Sequence, residues 1–151
     1  MYGKEETKRT RQAFWTAFGT VMKPIFSASG FSINWVNYKT EVKDVYFKMN
    51  ANGKKVSIGI YIQHKDAGIR ALFFEQFLEF KSLLHTILEE EWEWHSQCAD
   101  EHGKSTASIT VSANANIFDK NQWQDMFLFL KTRLIRLDEF WDDAKEIFKS
   151  L

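Results

Sequence analysis

Four side chains able to move protons or hold charge stand in the middle of the chain, Asp44, Tyr61, His64 and Glu75, with the amide of Gln63 among them. A carboxylate such as Asp44 can bind a cation, and a histidine titrates near physiological pH, so the set is a candidate polar site. An enzyme of unknown reaction built around Tyr61, His64 and Glu75 is one reading. Each residue also has a plainer role. Asp44 reads as a surface acid on a strand's polar face. His64 precedes Asp66, whose carboxylate is placed to cap a helix, so His64 needs be no more than a loop side chain. Glu75 interrupts an apolar helical stripe; buried there, it would have to meet Arg70, Lys81, an indole or a backbone donor, or stay neutral.

Other groupings are weaker. His95, Cys98 and His102 lie close in sequence, but in an extended strand His95 and Cys98 point to opposite faces and no fourth ligand is near. No metal site and no cofactor are therefore expected, and Cys98 reads as a small hydrophobe. Asp138 and Asp142, one helical turn apart, read as solvated acids beside Lys145 and Lys149. Lys4, Lys8, Arg9 and Arg11 make one basic cluster, and Lys131, Arg133 and Arg136 another; Lys8, Arg9, Arg11, Arg133 and Arg136 are candidate nucleic-acid contacts. No phosphate-binding glycine loop, nucleophile elbow or paired-histidine zinc motif is present.

Periodicity supplies the elements that must position these groups. Ala13, Phe14, Ala17, Phe18, Val21 and Met22 recur at helical spacing, with Pro24 just beyond. Three alternating stretches follow, around Phe31–Trp35, Val45–Met49 and Val56–Ile62, the last two joined by a turn at 50–53. A long helix is expected from Asp66 to about Leu88, with a broad stripe that includes Phe73, Phe77, Phe80 and Leu84 and with Phe74 beside it. Residues 91–98 and 105–113 read as a second hairpin turning at Asp100–Lys104, anchored by Trp92, Trp94, Ile109 and Val111. Asp119 with Gln122 resembles a capping box, with Phe118 stapled on Trp123, and one or two helices run to the C-terminus. The expected fold is α+β: a five-stranded, mainly antiparallel sheet with helices mainly on one face, in the order α-β-β-β-α-β-β-α-α.

The totals set the class. The 151 residues are the length of one ordinary domain, taken as 1–151, and 44% hydrophobic with 26% charged is a globular composition. Fourteen Phe, six Trp and four Tyr form an aromatic excess that suits an interface as well as a core. Lys and Arg together equal Asp and Glu at 20 each, so no net field draws the chain to polyanions, and local patches must supply any such contact. One cysteine, a charged N-terminus and the lack of any long apolar run point to a cytoplasmic protein with no membrane association.

Four segments carry a resemblance across nearly the whole chain: Lys4-Glu-Glu-Thr-Lys-Arg9 with Phe14-Trp15, Ile33 to Lys39, Phe73 to Leu78, and Leu137-Asp-Glu-Phe-Trp141. The chain resembles the bacterial domain-of-unknown-function family DUF4268, which implies a bacterial protein and carries no assigned activity. That family's domain is also associated with nuclease-like regions in longer chains. The expected element order is similar to a restriction-nuclease core, which places an acid on the second strand and an acid-x-Lys pattern on the third. Asp44 could supply the first, but the third strand holds Tyr61 and Gln63 at the acid and lysine positions, so active nuclease chemistry is not expected.

The reading that follows is a noncatalytic binding or assembly module, a homodimer through an aromatic surface including Phe74, Phe80, Trp92 and Trp94. The alternative is a catalytically degenerate nuclease-like domain that binds nucleic acid.

Overall fold

A computed structural model gives the architecture and describes residues 2–151. The first helix, α1 (Lys4–Met22), buries Phe14, Phe18 and Met22, the residues that helical spacing places on one face. Burying each such side chain is worth about 1.5–3 kcal/mol. Strands β1 (Val45–Ala51) and β2 (Lys55–Ile62) form a hairpin whose turn is fixed by Asn52 Oδ1, accepting from the N–H groups of Lys54 and Lys55 at 2.8 and 2.9 Å. Helices α2 (Ala67–Glu79) and α3 (Lys81–Leu88) lead to β3 (Glu93–Ala99) and β4 (Ser105–Asn114). A short 3-10 turn (Lys120–Gln122) then opens α4 (Trp123–Lys149).

Among the described residues the sheet has four strands in the order β1-β2-β4-β3, all neighbours antiparallel. Register aligns the faces. Val45, Phe47 and Met49 oppose Ile62, Ile60 and Ile58, which oppose Ala107, Ile109 and Val111. This apolar face meets the buried residues of the helices in one continuous core. Lys48, Gly59 and Thr110 line up on the other face. A Cβ at Gly59 would stand 2.6 Å from Thr110 Cγ2 and 2.9 Å from the Ile109 carbonyl oxygen, so only glycine admits this approach of β2 and β4.

The expected five strands reduce to four, because residues 31–35 are not a strand. Ser27 and Phe31 instead close a tight turn, with Gly30 at φ +88°, and only a single bridge joins Phe26 to Ser32. Alternation misleads there because Trp35 does point inward, but its indole donates to the Ile25 carbonyl at 2.9 Å and the backbone joins no ladder. With only two strands between α1 and α2, the order is no longer that of the nuclease core.

Two further corrections concern helices. The long helix expected from Asp66 to Leu88 breaks at Phe80, where neither glycine nor proline signals a stop. The Phe80 ring lies against Phe140 and Phe148, so docking on α4 sets the angle between α2 and α3. The C-terminal pair of helices is one long helix after a 3-10 turn. Asp119 caps that turn through the Asn121 N–H at 3.0 Å, while Phe118 stacks on Tyr2 at 4.0 Å.

The segment 23–44 is irregular and held by side chains. Asp138 on α4, only 5% exposed, accepts from the Tyr38 hydroxyl at 2.6 Å and from the Ala28 N–H at 2.7 Å. Trp141 donates its indole N–H to the Thr40 carbonyl at 2.8 Å, and the Thr40 hydroxyl reaches the Val45 carbonyl at 2.6 Å. Glu41, at φ +64°, pairs with Lys145 at 2.7 Å. The solvated-acid reading thus holds poorly for Asp138, which is an interior joint. Among the described residues no helix is long and apolar enough to cross a membrane.

Candidate functional site

The polar face of the sheet borders a groove of about 1020 Å³. Asp44, Tyr61, Gln63 and His64 all line it, so the fold gathers four of the five candidate polar residues. Glu75 is not among them; it is exposed on α2 and its stripe leaves it in solvent.

Local structure explains the gathering. Asp44 sits at φ +64° where the chain enters β1, and its carbonyl accepts from the Gln63 N–H at 2.7 Å, so the loop before β1 and the exit from β2 are tied together. His64 follows. Asp66 caps α2 through the Ile69 N–H at 3.0 Å, and buried Arg70 donates Nη1 to the carbonyls of His64 and Lys65 at 2.7 and 3.0 Å. The junction is thus held by backbone carbonyls, leaving the His64 imidazole facing Phe73 at 4.4 Å with Nδ1 buried and without a hydrogen-bond partner. Burial holds the His64 pKa below its usual value, against an opposing pull from Asp44.

Across the middle of the face runs a row set by register: Tyr46 opposite Tyr61, Tyr61 opposite Ser108, and Ser108 opposite His95. Tyr46 is 41% exposed. The Lys48 ammonium lies over both tyrosine rings, 5.2 Å from Tyr46 and 5.7 Å from Tyr61, and donates to Gln63 at 3.2 Å. Burial raises the Tyr61 pKa, with Cys98 and Glu101 adding to the effect, so this phenol is not poised to ionise. The far wall is the β3–β4 turn, held by Asp100 accepting from the N–H groups of His102 and Lys104 at 2.8 and 2.9 Å.

An irregularity in β3 corrects the face argument made for Cys98. A bulge between His95 and Cys98 leaves His95 opposite Ser108 and Cys98 opposite Thr106, so both face the polar side. The Cys98 sulfur meets the hydroxyls of Thr106 and Ser108 at 3.1 and 3.4 Å, which gives a thiol no base. Among the described residues no three of His, Cys, Asp and Glu come together in a way that could hold a metal ion.

The remaining candidates fall elsewhere. Arg133 is engaged bidentately by Glu90 at 2.7 and 2.9 Å and lies on the Phe129 ring; Arg136 pairs with Glu89 and donates to the Leu88 carbonyl at 3.0 Å. Both arginines close the corner after α3, where Glu89 takes φ +59°. Lys8, Arg9 and Arg11 are exposed on α1, and Lys8 and Arg11 border a separate depression of about 650 Å³. Phe74 and Trp92, expected at an interface, lie inside the chain at 8% and 5% exposure, while Phe80 and Trp94 are half-buried, Trp94 edge-on to Phe74.

Sequence reasoning passed over Lys48 and Ser57 as groove residues, and Tyr46 beside them. The alternation of β1 and β2 already put the three on one face, but nothing in the sequence said which strand would be their neighbour. No curated protein and no solved structure matches the chain. A family model does match, over residues 10–145, that of a domain of unknown function, DUF4268; the chain belongs to that family.

Proposed function

We propose that residues 1–151 act as one noncatalytic binding module that holds a ligand bearing a flat ring and negative charge on the polar face of its sheet. The observation that carries this is the cross-strand pair Tyr46–Tyr61 with Lys48 over both rings, at the edge of a large groove. Aromatic faces accept another ring, and an ammonium whose partners are two ring faces and a Gln63 amide is available to an anion. Lys48, Lys55, Lys65, Arg70 and Lys104 line the groove against the acids Asp44, Asp100 and Glu101, so cations prevail locally in a chain of zero net charge. A binding role is favoured over catalysis because Cys98 contacts only hydroxyls here and the Tyr61 phenol is shifted away from ionisation.

Titration of isotope-labelled protein with adenosine monophosphate, followed by NMR, tests the reading. Shifts should concentrate on Tyr46, Lys48, Ser57, Tyr61 and His64 and be lost in Lys48→Ala. Shifts centred on Asp138 and Tyr38 would overturn it.

A self-associating role has one specific support: Ile69 and Leu72 lie on one side of α2, 43% and 46% exposed. The solution mass of the wild type against Leu72→Asp tests it. A wild-type monomer at micromolar concentration removes this second reading without touching the first.

A further inference from the structure

The sheet groove is not closed at the β1 edge. Lys48 and Met49 are also walls of a second depression of about 500 Å³, which passes over that edge between Tyr46 and Trp15. Trp15 is in turn a wall of the depression on α1 that carries Lys4, Lys8 and Arg11. Three depressions are therefore neighbours that share wall residues, and aromatic rings and cations recur along them: Lys55, Tyr61, Lys48, Tyr46, Trp15, then Lys8 with Arg11.

We infer that this track binds a single strand of nucleic acid. The inference rests on the proposed binding face and extends it from one ring-bearing anion to a chain of them. A mononucleotide would fill one part of the track and leave the α1 cations without a role. Bases stack on Tyr61, Tyr46 and Trp15, since every base has a π-face, and phosphates lie towards Lys55, Lys48, Lys8 and Arg11. A duplex keeps its bases stacked on each other and offers only phosphates, which a chain of zero net charge attracts weakly. Stacking must therefore supply a large share of the affinity, and the salt dependence is shallow. About four phosphate contacts on a single strand give a slope of log K against log salt of about −3.

The test is fluorescence anisotropy with oligothymidylates of increasing length, alongside adenosine monophosphate, a duplex of the same length and poly-glutamate, with NMR mapping of each. Affinity should rise with length and level off at the track's capacity, with the duplex and poly-glutamate much weaker. Tyr46→Ser and Tyr61→Leu should each weaken the long oligomer about tenfold. Arg11→Glu, on an exposed helix position that leaves the fold intact, should weaken the long oligomer and leave the mononucleotide unchanged. Equal affinity for mononucleotide and long oligomer, with shifts confined to the sheet face, overturns the strand and leaves the binding module standing. Poly-glutamate matching the oligomer overturns nucleic acid in favour of an acidic peptide. No shift on the face with any probe removes the binding-face reading itself.

Discussion

The molecule carries two concentrations of polar groups, one on each side of the sheet, and they differ in how completely they are satisfied. At the joint between α4 and the segment 23–44, each Asp138 oxygen has a donor, the Tyr38 hydroxyl on one and the Ala28 N–H on the other, and the neighbouring Trp141 indole is engaged by Thr40. In the groove, His64 Nδ1 has no partner and Lys48 is shared among two rings and an amide. A closed set of hydrogen bonds fixes a chain segment; an open set has capacity left for a ligand. The comparison makes opposite demands of mutations at the two places.

The largest effect belongs to the closed side. Asp138→Ala takes the buried acceptor away from the Tyr38 hydroxyl and the Ala28 N–H and unpins the segment 23–44. A loss of about 3 kcal/mol is expected, since two hydrogen bonds to a charged acceptor disappear together. In a chain of this size that lowers Tm by about 6–12 °C. Urea and thermal denaturation measure it, and mononucleotide binding by the surviving folded protein should be unchanged. A stable Asp138→Ala variant with lost binding would reverse the roles assigned to the two regions.

Tyr38→Phe acts on the same joint more gently, at about 1 kcal/mol for one hydrogen bond. Its signature is alkaline. Burial, and then the bond and charge of Asp138, hold the Tyr38 pKa well above the usual tyrosine range. The folded protein therefore keeps this proton where the unfolded chain, with a pKa of about 10, gives it up. The stabilisation is complete below pH 10 and is lost as pH rises beyond it, so wild type loses stability in base and Tyr38→Phe loses less. Equal alkaline slopes would show that the Tyr38 proton is not held by this joint.

Arg133→Ala should cost at most about 1 kcal/mol, because its ion pair with Glu90 is partly exposed, and binding of a nucleotide to the groove should not change. Lost affinity in that variant would move the ligand from the sheet face to the corner after α3.

The polar face of the sheet was more legible in the sequence than the joint, for a physical reason. Strand alternation has a period of two, so Asp44, Tyr61 and Gln63 could be assigned to a polar face before any neighbour was known. The cap at Asp66 and the turn at Asp100 are likewise local, their donors lying within four residues. The joint is not local: Asp138 meets partners 100 and 110 residues away, and no spacing rule links them. The bulge that turns Cys98 onto the polar side has no glycine to announce it, and the break at Phe80 comes from aromatic docking on α4. The second basic cluster failed as a free surface for the same reason, since Glu89 and Glu90 approach Arg136 and Arg133 only after α3 has packed on α4.

The smallest effect tests the open side. Burial lowers the His64 pKa, so the folded protein binds this proton less readily than the unfolded chain does. Stability from this group is complete above the usual histidine pKa of about 6.5 and declines as pH falls from there towards the lower folded value. His64→Gln should flatten the slope of unfolding free energy below about pH 6.5, where the imidazole's lowered pKa acts, and have no effect on the slope between about pH 6.5 and 8. Urea titrations at pH 5, 6.5 and 8 measure the difference. If a ligand anion lies beside His64, its presence favours the protonated imidazole, so bound nucleotide should raise the His64 pKa and shallow the same slope in wild type. A ligand that leaves the His64 titration unmoved, followed by NMR, would place its charge at the Lys48–Lys55 end of the groove.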